Sequence, residues 1–222
     1  MSHGMRHGIT PSHHRTVRAL AAAALAVGLT ACGAPVYRYT ANDADDLVLK
    51  VPRSWNLVRS GVPPLQDGTP APAGNWYAIY DAAPHPDVKH AGAPHTTDPV
   101  AWVQTFVVTK EQAAGLTDDD LRDILVPVSD AGRTSALLQG SFAGGAFRLF
   151  SDQKVTTRTA TGVHVVFSYD LGNGAETFDK IVMLDRRQTR VHLLLVQCSK
   201  ACYARDQRVI ADSVRSFTVR TA

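Results

Sequence analysis

The feature that most constrains the fold is a series of strand patterns in the second half of the chain. Between 163 and 170, apolar residues occupy every second position, as in a strand with one buried face. Residues 146–155 and 178–184 also favour strands, and 191–196 are almost continuously apolar, which indicates a central strand covered on both faces. Gly172-Asn173-Gly174 is typical of a tight hairpin, because Asn-Gly accepts positive φ. The second half is therefore predicted to be an antiparallel meander.

Two helices are predicted to flank this sheet. The first begins after Thr117, a good N-cap residue, and the aspartates at 118–120 complement the positive end of its dipole. Its apolar face consists of Leu121, Ile124 and Leu125. The last helix spans about 201–216 and carries an apolar stripe, so it is predicted to pack back onto the sheet, with the early helix on the other face.

The first half of the chain alternates short strand patterns with proline-bearing loops. Strands are predicted at 47–52, 76–80 and 100–109, where β-branched and aromatic residues are frequent. Residues 61–74 and 82–99 are rich in Pro and Gly and are predicted to be loops. The whole pattern predicts an α+β fold with an antiparallel, meander-rich sheet and a C-terminal helix packed on it.

The N-terminal segment has the features of an export signal. Residues 1–18 contain arginines and histidines but no acidic residue, and the apolar run 19–31 is about 13 residues, too short to span a bilayer. Leu29-Thr30-Ala31-Cys32 resembles the lipobox of bacterial lipoproteins, and this resemblance implies that Cys32 is acylated and becomes the first mature residue. The alternative is a secreted protein that is cut at another bond, with Cys32 incidental.

This interpretation divides the chain and sets its location. Residues 1–31 are predicted to be a signal peptide, 32–45 a lipidated tether, and 46–222 a single globular domain. The protein is expected at the cell membrane, lipid-anchored (as by palmitate) and facing outside the cytoplasm. Three of the 23 Lys and Arg residues lie in the signal peptide, and the remaining 20 balance the 20 Asp and Glu. Without a basic cluster, nucleic-acid binding has no support.

Cysteine usage agrees with export. Apart from Cys32, the chain has only Cys198 and Cys202, and an even pair at short spacing outside the cytoplasm most often forms a disulfide. Its expected role is to fix the corner between a strand and the last helix. A redox-active pair, or a zinc site that includes His192, are the alternatives. Redox motifs usually have two intervening residues, and zinc needs about four ligands.

Two short segments resemble a known family. Pro52-Arg53-Ser54-Trp55 after the first strand, and the ending Ile210-Ala211-Asp212-Ser213-Val214-Arg215-Ser216-Phe217, are similar to Mog1/PsbP-like domains, in particular to small lipoproteins of high-GC Gram-positive, actinobacterial-type bacteria. The resemblance implies an α/β/α sandwich around an antiparallel sheet. It also implies a role as a binding or assembly module in the cell envelope.

Motifs for catalysis are missing from the sequence. There is no Gly-x-Ser-x-Gly, and Ser151-Asp152-Gln153-Lys154 matches Ser-x-x-Lys only within a predicted strand, without the companion motifs. His164 and His192 also lie on predicted strands and are interpreted as sheet residues. The protein is therefore predicted not to be an enzyme and to need no cofactor. An envelope hydrolase would require a nucleophile and a base brought together from distant segments.

One histidine constellation and one group of aromatic residues are candidate sites. His85, His90 and His95 recur every five residues in a polar loop and could bind zinc or copper, or simply be solvated. Large aromatic residues near the first-half loops could anchor a partner or pack in the core: Trp76, Tyr77, Tyr80 and Trp102. We therefore expect a membrane-anchored, non-catalytic lipoprotein that binds an envelope protein. The alternative is a carrier of a hydrophobic or cell-wall-derived ligand.

Overall fold

The fold is built around the strand that the sequence predicts to be central. A computed structural model describes residues 36–42, 46–63, 71–94, 96–140, 145–170 and 174–220. In it, Arg190–Ser199 is the middle strand of a seven-stranded antiparallel sheet. Residues 191–198 are buried, so the apolar run is explained by cover on both faces.

The helices and strands are numbered here in chain order. The strands are β1 (Tyr37–Asn42), β2 (Leu47–Pro52), β3 (Asn56–Gly61), β4 (Trp76–Asp81), β5 (Val100–Val107), β6 (Phe147–Thr156), β7 (Ala160–Asp170), β8 (Ala175–Asp185), β9 (Arg190–Ser199) and β10 (Thr218–Val219). The helices are α1 (Lys110–Gly115), α2 (Asp118–Asp123), α3 (Asp130–Leu138) and α4 (Lys200–Ser216), with a 3₁₀ turn at Val88–His90.

The predicted meander is confirmed. The large sheet has the order β3-β4-β5-β9-β8-β7-β6, and β1, β2 and β10 form a second, three-stranded sheet. Strands β7 and β8 pair from Ala160 opposite Asp185 to Asp170 opposite Ala175. The Gly172-Asn173 turn that would connect them lies outside the described residues.

Each face of the large sheet has its own apolar core. Helix α4 and strand β2 cover one face, where Leu49, Val214 and Leu194 belong to the same buried cluster. Helix α2 and the segment after it cover the other face, where Leu121 packs with Leu193. Adjacent residues of β9 therefore point into opposite cores. The layers form the predicted α/β/α sandwich, with the small sheet added to the α4 side.

Helix α2 begins as predicted but ends early. The Thr117 side chain accepts a hydrogen bond from the Asp120 backbone N–H at 3.1 Å, and the Asp120 carboxylate accepts one from the Thr117 N–H at 2.7 Å. These reciprocal bonds form a capping box. The helix stops at Asp123, so the prediction that Leu125 shares the helical apolar face of Leu121 is wrong.

The predicted tether, 32–45, contains a strand. Residues 37–42 form β1 and pair with β2, from Tyr37 opposite Pro52 to Asn42 opposite Leu47. The sequence Tyr-Arg-Tyr-Thr has the β-propensity of an edge strand but no continuous apolar face, so its own pattern does not distinguish it from a tether. Strand β3 and the short helices α1 and α3 were also missed, since α3 buries no residue completely and α1 buries only Ala113.

A disulfide joins the end of β9 to the first turn of α4. Cys198 and Cys202 are bonded, their Cα atoms are 5.7 Å apart, and both are buried in the α4-side core. The Ser199 side chain accepts a hydrogen bond from the Cys202 N–H, which caps the helix. Of the helices in the described ranges, none has both the length and the apolar composition needed to cross a bilayer.

Candidate functional site

An apolar pocket of about 180 Å³ opens on the α2 side of the large sheet. Its floor consists of two rows of cross-strand neighbours on β5, β9 and β8. One row contains Trp102 and Leu195, and the next contains Val100, Gln197 and Phe178. These side chains point to the same face because each lies two residues from its neighbour along a strand. We call this cavity the Trp102 pocket.

One wall of the Trp102 pocket is a loop segment, residues 91–93, that Gln197 fixes to the floor. The Gln197 side-chain carbonyl accepts a hydrogen bond from the Gly92 N–H at 3.1 Å, and its amide donates to the Ala93 carbonyl at 2.8 Å. Gln197 is 6% exposed. Both ends of its amide are thus used within the protein, and the loop is held over the sheet.

The same loop is fixed at its base by a buried carboxylate. The Asp81 side chain accepts hydrogen bonds from the backbone N–H groups of Ala83 at 2.9 Å and Asp87 at 2.8 Å. Its Oδ2 atom also lies 2.6 Å from His90 Nδ1. A buried carboxylate is stable only with such partners, so Asp81 organises the loop that the sequence predicts to be merely polar.

The three histidines of the metal hypothesis have separate surroundings. His90 contacts Asp81, His85 is exposed, and His95 lies outside the described residues. Across the described ranges, no group of three or more His, Cys, Asp or Glu side chains is arranged to hold a metal ion. The contact between His90 and Asp81 is explained by the loop it stabilises.

The opposite wall of the pocket is held by a buried lysine. Lys180 continues the floor row, since its Cα pairs with Leu195, and its side chain is completely buried. Its ammonium donates to the backbone carbonyls of Arg122, of Ile124 at 3.0 Å and of Val126 at 2.7 Å. These are carbonyls at the C-terminal end of α2 and just beyond it, where helical partners are missing. Burial lowers the pKa of Lys180 to about 7, opposed by the nearby Asp123 carboxylate.

By bonding to the carbonyls of Ile124 and Val126, this lysine fixes the backbone on both sides of Leu125. Leu125 has φ of +64°, and the Val126 N–H donates to the Ile124 carbonyl at 2.9 Å. Leu125 is therefore the central residue of a γ-turn with positive φ, a rare and strained conformation. A bulky residue at positive φ is an outlier that surrounding structure must impose. Its side chain, 42% exposed, stands at the rim of the Trp102 pocket.

The lining of the Trp102 pocket favours an apolar occupant. The Trp102 indole N–H donates to the Gln104 side chain at 2.8 Å, and the Gln197 amide is bonded to the loop. The remaining floor and rim side chains are Val100, Leu125, Val126, Phe178 and Leu195. A volume of about 180 Å³ suits one large apolar side chain, since a cavity of about 150 Å³ accommodates benzene.

The four aromatic candidates fall on two faces. Trp102 lines the pocket, and Tyr77 packs beside it on the same face through a stacked contact with ring centroids 5.7 Å apart. Trp76 and Tyr80 face the α4-side core, and the Tyr80 hydroxyl donates to Thr40 at 2.9 Å. Only Trp102 of this group is placed to contact a ligand in the pocket.

The strand histidines are bonded within the sheet. His164 Nε2 lies 2.7 Å from the Asp179 carboxylate, which also accepts a hydrogen bond from the Tyr203 hydroxyl at 2.9 Å. His192 Nδ1 lies 3.1 Å from the Thr105 hydroxyl, but His192 is 1% exposed and burial lowers its pKa to about 4. Among the described hydrogen bonds, no accessible nucleophile is paired with either ring.

Comparison with known proteins identifies the fold. No protein-family model matches this chain, and no curated protein matches its sequence. The solution structure of cyanobacterial PsbP (CyanoP) from Synechocystis sp. PCC 6803 is similar, with a TM-score of 0.50 and 13% identity over 86% of this chain and 99% of that chain. The predicted Mog1/PsbP-like fold is therefore confirmed.

Two further structures superpose less closely on this chain. A Pseudomonas aeruginosa protein of unknown function, described as a putative regulator, gives a TM-score of 0.35 and 10% identity over 84% of this chain and 99% of that chain. The Ran-binding protein Mog1p of Saccharomyces cerevisiae gives a TM-score of 0.41 and 11% identity over 82% of this chain and 95% of that chain.

The buried ammonium predicts a pH dependence of stability. The pKa of Lys180 is about 7 in the folded protein and near 10.5 when unfolded. Between these values the unfolded chain binds more protons, so the Lys180 contribution to stability increases as pH rises. From pH 7 to 9 the unfolding free energy of the wild type should gain roughly 2 kcal/mol relative to Lys180→Met. Urea titrations at each pH measure this difference in unfolding free energy. Lys154→Met, at an exposed site, is the control. A constant difference would contradict the lowered pKa.

The strained turn predicts that asparagine, which tolerates positive φ, destabilises the protein less at position 125 than at a comparable exposed position. Leu125 and Leu137 are 42% and 51% exposed, but Leu137 lies within α3. Release of backbone strain should make Leu125→Asn at least about 1 kcal/mol less destabilising than Leu137→Asn. Thermal and urea unfolding of both variants measure this difference. Equal losses would show that the turn is not strained.

Proposed function

We propose that this protein is a membrane-anchored lipoprotein that acts outside the cytoplasm as a non-catalytic binding module for another envelope protein. The Cys32 motif supports the anchor. The Mog1/PsbP-like fold supports the module, since the resemblance implies binding or assembly. The Trp102 pocket, with its strained rim residue, is the observation that carries the proposal.

The pocket matches the centre of a protein–protein contact. Such centres are well-packed apolar sites that receive one large side chain and exclude water. The floor residues Trp102 and Phe178 offer aromatic surface, and Leu125 adds apolar surface at the rim. Because Gln197 and Lys180 fix both walls, the site is preorganised, and little conformational entropy would be lost on binding.

The carrier alternative has its own candidate site. A groove of about 440 Å³ lies between the first turns of α4 and the outer strands of the sheet, beside Phe150, Val166 and Tyr203. This volume falls in the usual range for small-molecule sites, roughly 300–1,000 Å³. The Trp102 pocket is below that range, so it suits a side chain better than a lipid chain.

Anchoring is tested by fractionation of cells that express the full chain. We expect Cys32→Ala to leave the membrane fraction, or to accumulate as an unprocessed precursor, because the acylated thiol is missing. Metabolic palmitate labelling is the direct readout, since the wild type should carry the label and Cys32→Ala should not. Ser54→Ala, at an exposed position of the domain, is the matched control. A salt-washed membrane fraction that retains mature-length Cys32→Ala would contradict the lipid anchor.

Binding is tested by site-specific photocrosslinking in cells. A benzophenone amino acid at position 125 should capture one recurrent protein, whereas the same group at position 138 should not, since Leu138 is 84% exposed but does not line the pocket. A third variant with the group at position 150 tests the groove. Mass spectrometry identifies the adducts.

The three crosslinking positions separate the two functions. A protein captured at 125 and lost when Val126→Glu is added supports the binding module. Lipid or glycan captured at 150, without protein at 125, would replace it with the carrier. Equal capture of many proteins at 125 and 138 would reject the pocket as a specific site.

A further inference from the structure

The start of the domain is surrounded by basic side chains. The Lys50 ammonium lies 3.8 Å from the centroid of the Tyr37 ring, and the Tyr37 hydroxyl donates to Asp212 at 3.1 Å. Asp212 also pairs with Arg215, which is 68% exposed. Arg208 is exposed one helical turn before Asp212, on the same side of α4.

A further arginine completes this surface. Arg53 is exposed and directly follows Pro52, whose Cα pairs with that of Tyr37. We call Lys50, Arg53, Arg208 and Arg215 the basic patch. Within this surface, the Asp212 carboxylate is bonded to Tyr37 and Arg215. Because residues 32–222 contain equal numbers of basic and acidic residues, this excess of positive charge on one side is balanced by negative charge elsewhere.

The basic patch and the Trp102 pocket belong to opposite sides of the large sheet. Strand β2 and helix α4 pack on the core that contains Leu194, while the pocket floor includes Leu195. The two surfaces are therefore separated by the thickness of the sheet. A flat object that contacts the patch would leave the pocket free.

The chain length between Cys32 and the domain restricts what the patch can face. Because β1 begins at Tyr37, five residue steps separate the two, and a fully extended chain of this length spans at most about 18 Å. A lipid anchor at Cys32 would keep Tyr37 within this distance of the bilayer surface. Because Lys50 contacts Tyr37 directly, the basic patch would lie close to that bilayer.

We propose that the basic patch rests on the anionic headgroups of the bilayer and thereby turns the Trp102 pocket away from the membrane. This inference rests on the proposed lipidation of Cys32. Each basic side chain at an anionic surface favours contact by roughly fivefold. Neutral lipid would supply only the anchor and no preferred orientation, and salt would weaken the contact.

The test is energy transfer in vesicles that contain the full lipidated protein. Cys198 and Cys202 are bonded and the Cys32 thiol is acylated, so a single added cysteine can be labelled. Ser54→Cys, next to Arg53, reports the patch side. Ser135→Cys reports the pocket side, because α3 lies beside Tyr169, a residue of the α2-side core. The acceptor is a headgroup-labelled lipid. The vesicles consist of phosphatidylcholine with or without roughly 30% phosphatidylglycerol, which supplies the negative surface charge.

In anionic vesicles, we expect more energy transfer to the labelled lipid from position 54 than from position 135. In neutral vesicles, we expect no such difference. Reversal of three charges, Arg53→Glu, Arg208→Glu and Arg215→Glu, should reduce the ratio of oriented to unoriented protein by more than roughly a hundredfold, because three attractive charges are lost and three repelled charges are added. Reversal of three exposed charges elsewhere is the control: Lys89, Lys110 and Arg158. Circular dichroism and thermal unfolding check that each variant folds.

The outcomes separate orientation from anchoring. Equal transfer from both positions, unchanged by lipid charge or by the triple reversal, would overturn the orientation and leave the anchor intact, because both labels would still be near lipid. Recovery of the wild type in the lipid-free fraction after flotation would overturn the anchor and the orientation together.

Discussion

The ammonium of Lys180 is the interaction on which the pocket side of this domain depends. Its three donors are bonded to carbonyls that follow one another closely in the chain, at Arg122, Ile124 and Val126. Burial of an unpaired charge would be prohibitive, and the three carbonyls at the end of a helix offset only part of this cost, since burial still lowers the pKa of Lys180 to about 7. The same bonds end α2, impose the turn at Leu125 and place one wall of the pocket above the sheet. A strand residue thus determines the conformation of a loop more than 50 residues away.

Polar side chains within the large sheet fix loops rather than face water. Asp81, Gln197 and Lys180 each occupy a position where the strand pattern calls for an apolar residue, and each bonds to the backbone of a covering segment. Glu176 does the same for Thr96, whose N–H lies 2.9 Å from its carboxylate. Loops attached in this way keep a fixed position, so the cavity between them is retained without a ligand.

Local sequence patterns predict the parts of the fold that are determined by residues close together in the chain. The meander follows from alternation, α2 from the Thr117 cap, and α4 from its apolar stripe. Strand β1 was missed because its partner β2, and not its own pattern, makes it a strand. The pocket could not be predicted, because Gln197 bonds to residues about 100 positions away. A lysine within the predicted strand 178–184 is the one signal in the sequence, and its carbonyl partners are visible only in three dimensions.

Strand register determines the relation between the two surfaces. Leu194 and Leu195 are adjacent in β9, yet one packs under α4 and the other forms the pocket floor. A shift of one residue would exchange them, which the apolar cores on both faces oppose. The Cys198–Cys202 bond fixes the corner at which α4 turns back, so the helix that carries Arg208 and Arg215 stays on the face opposite the pocket. With a short connection to the proposed anchor, contact between these arginines and anionic headgroups would direct the pocket away from the bilayer.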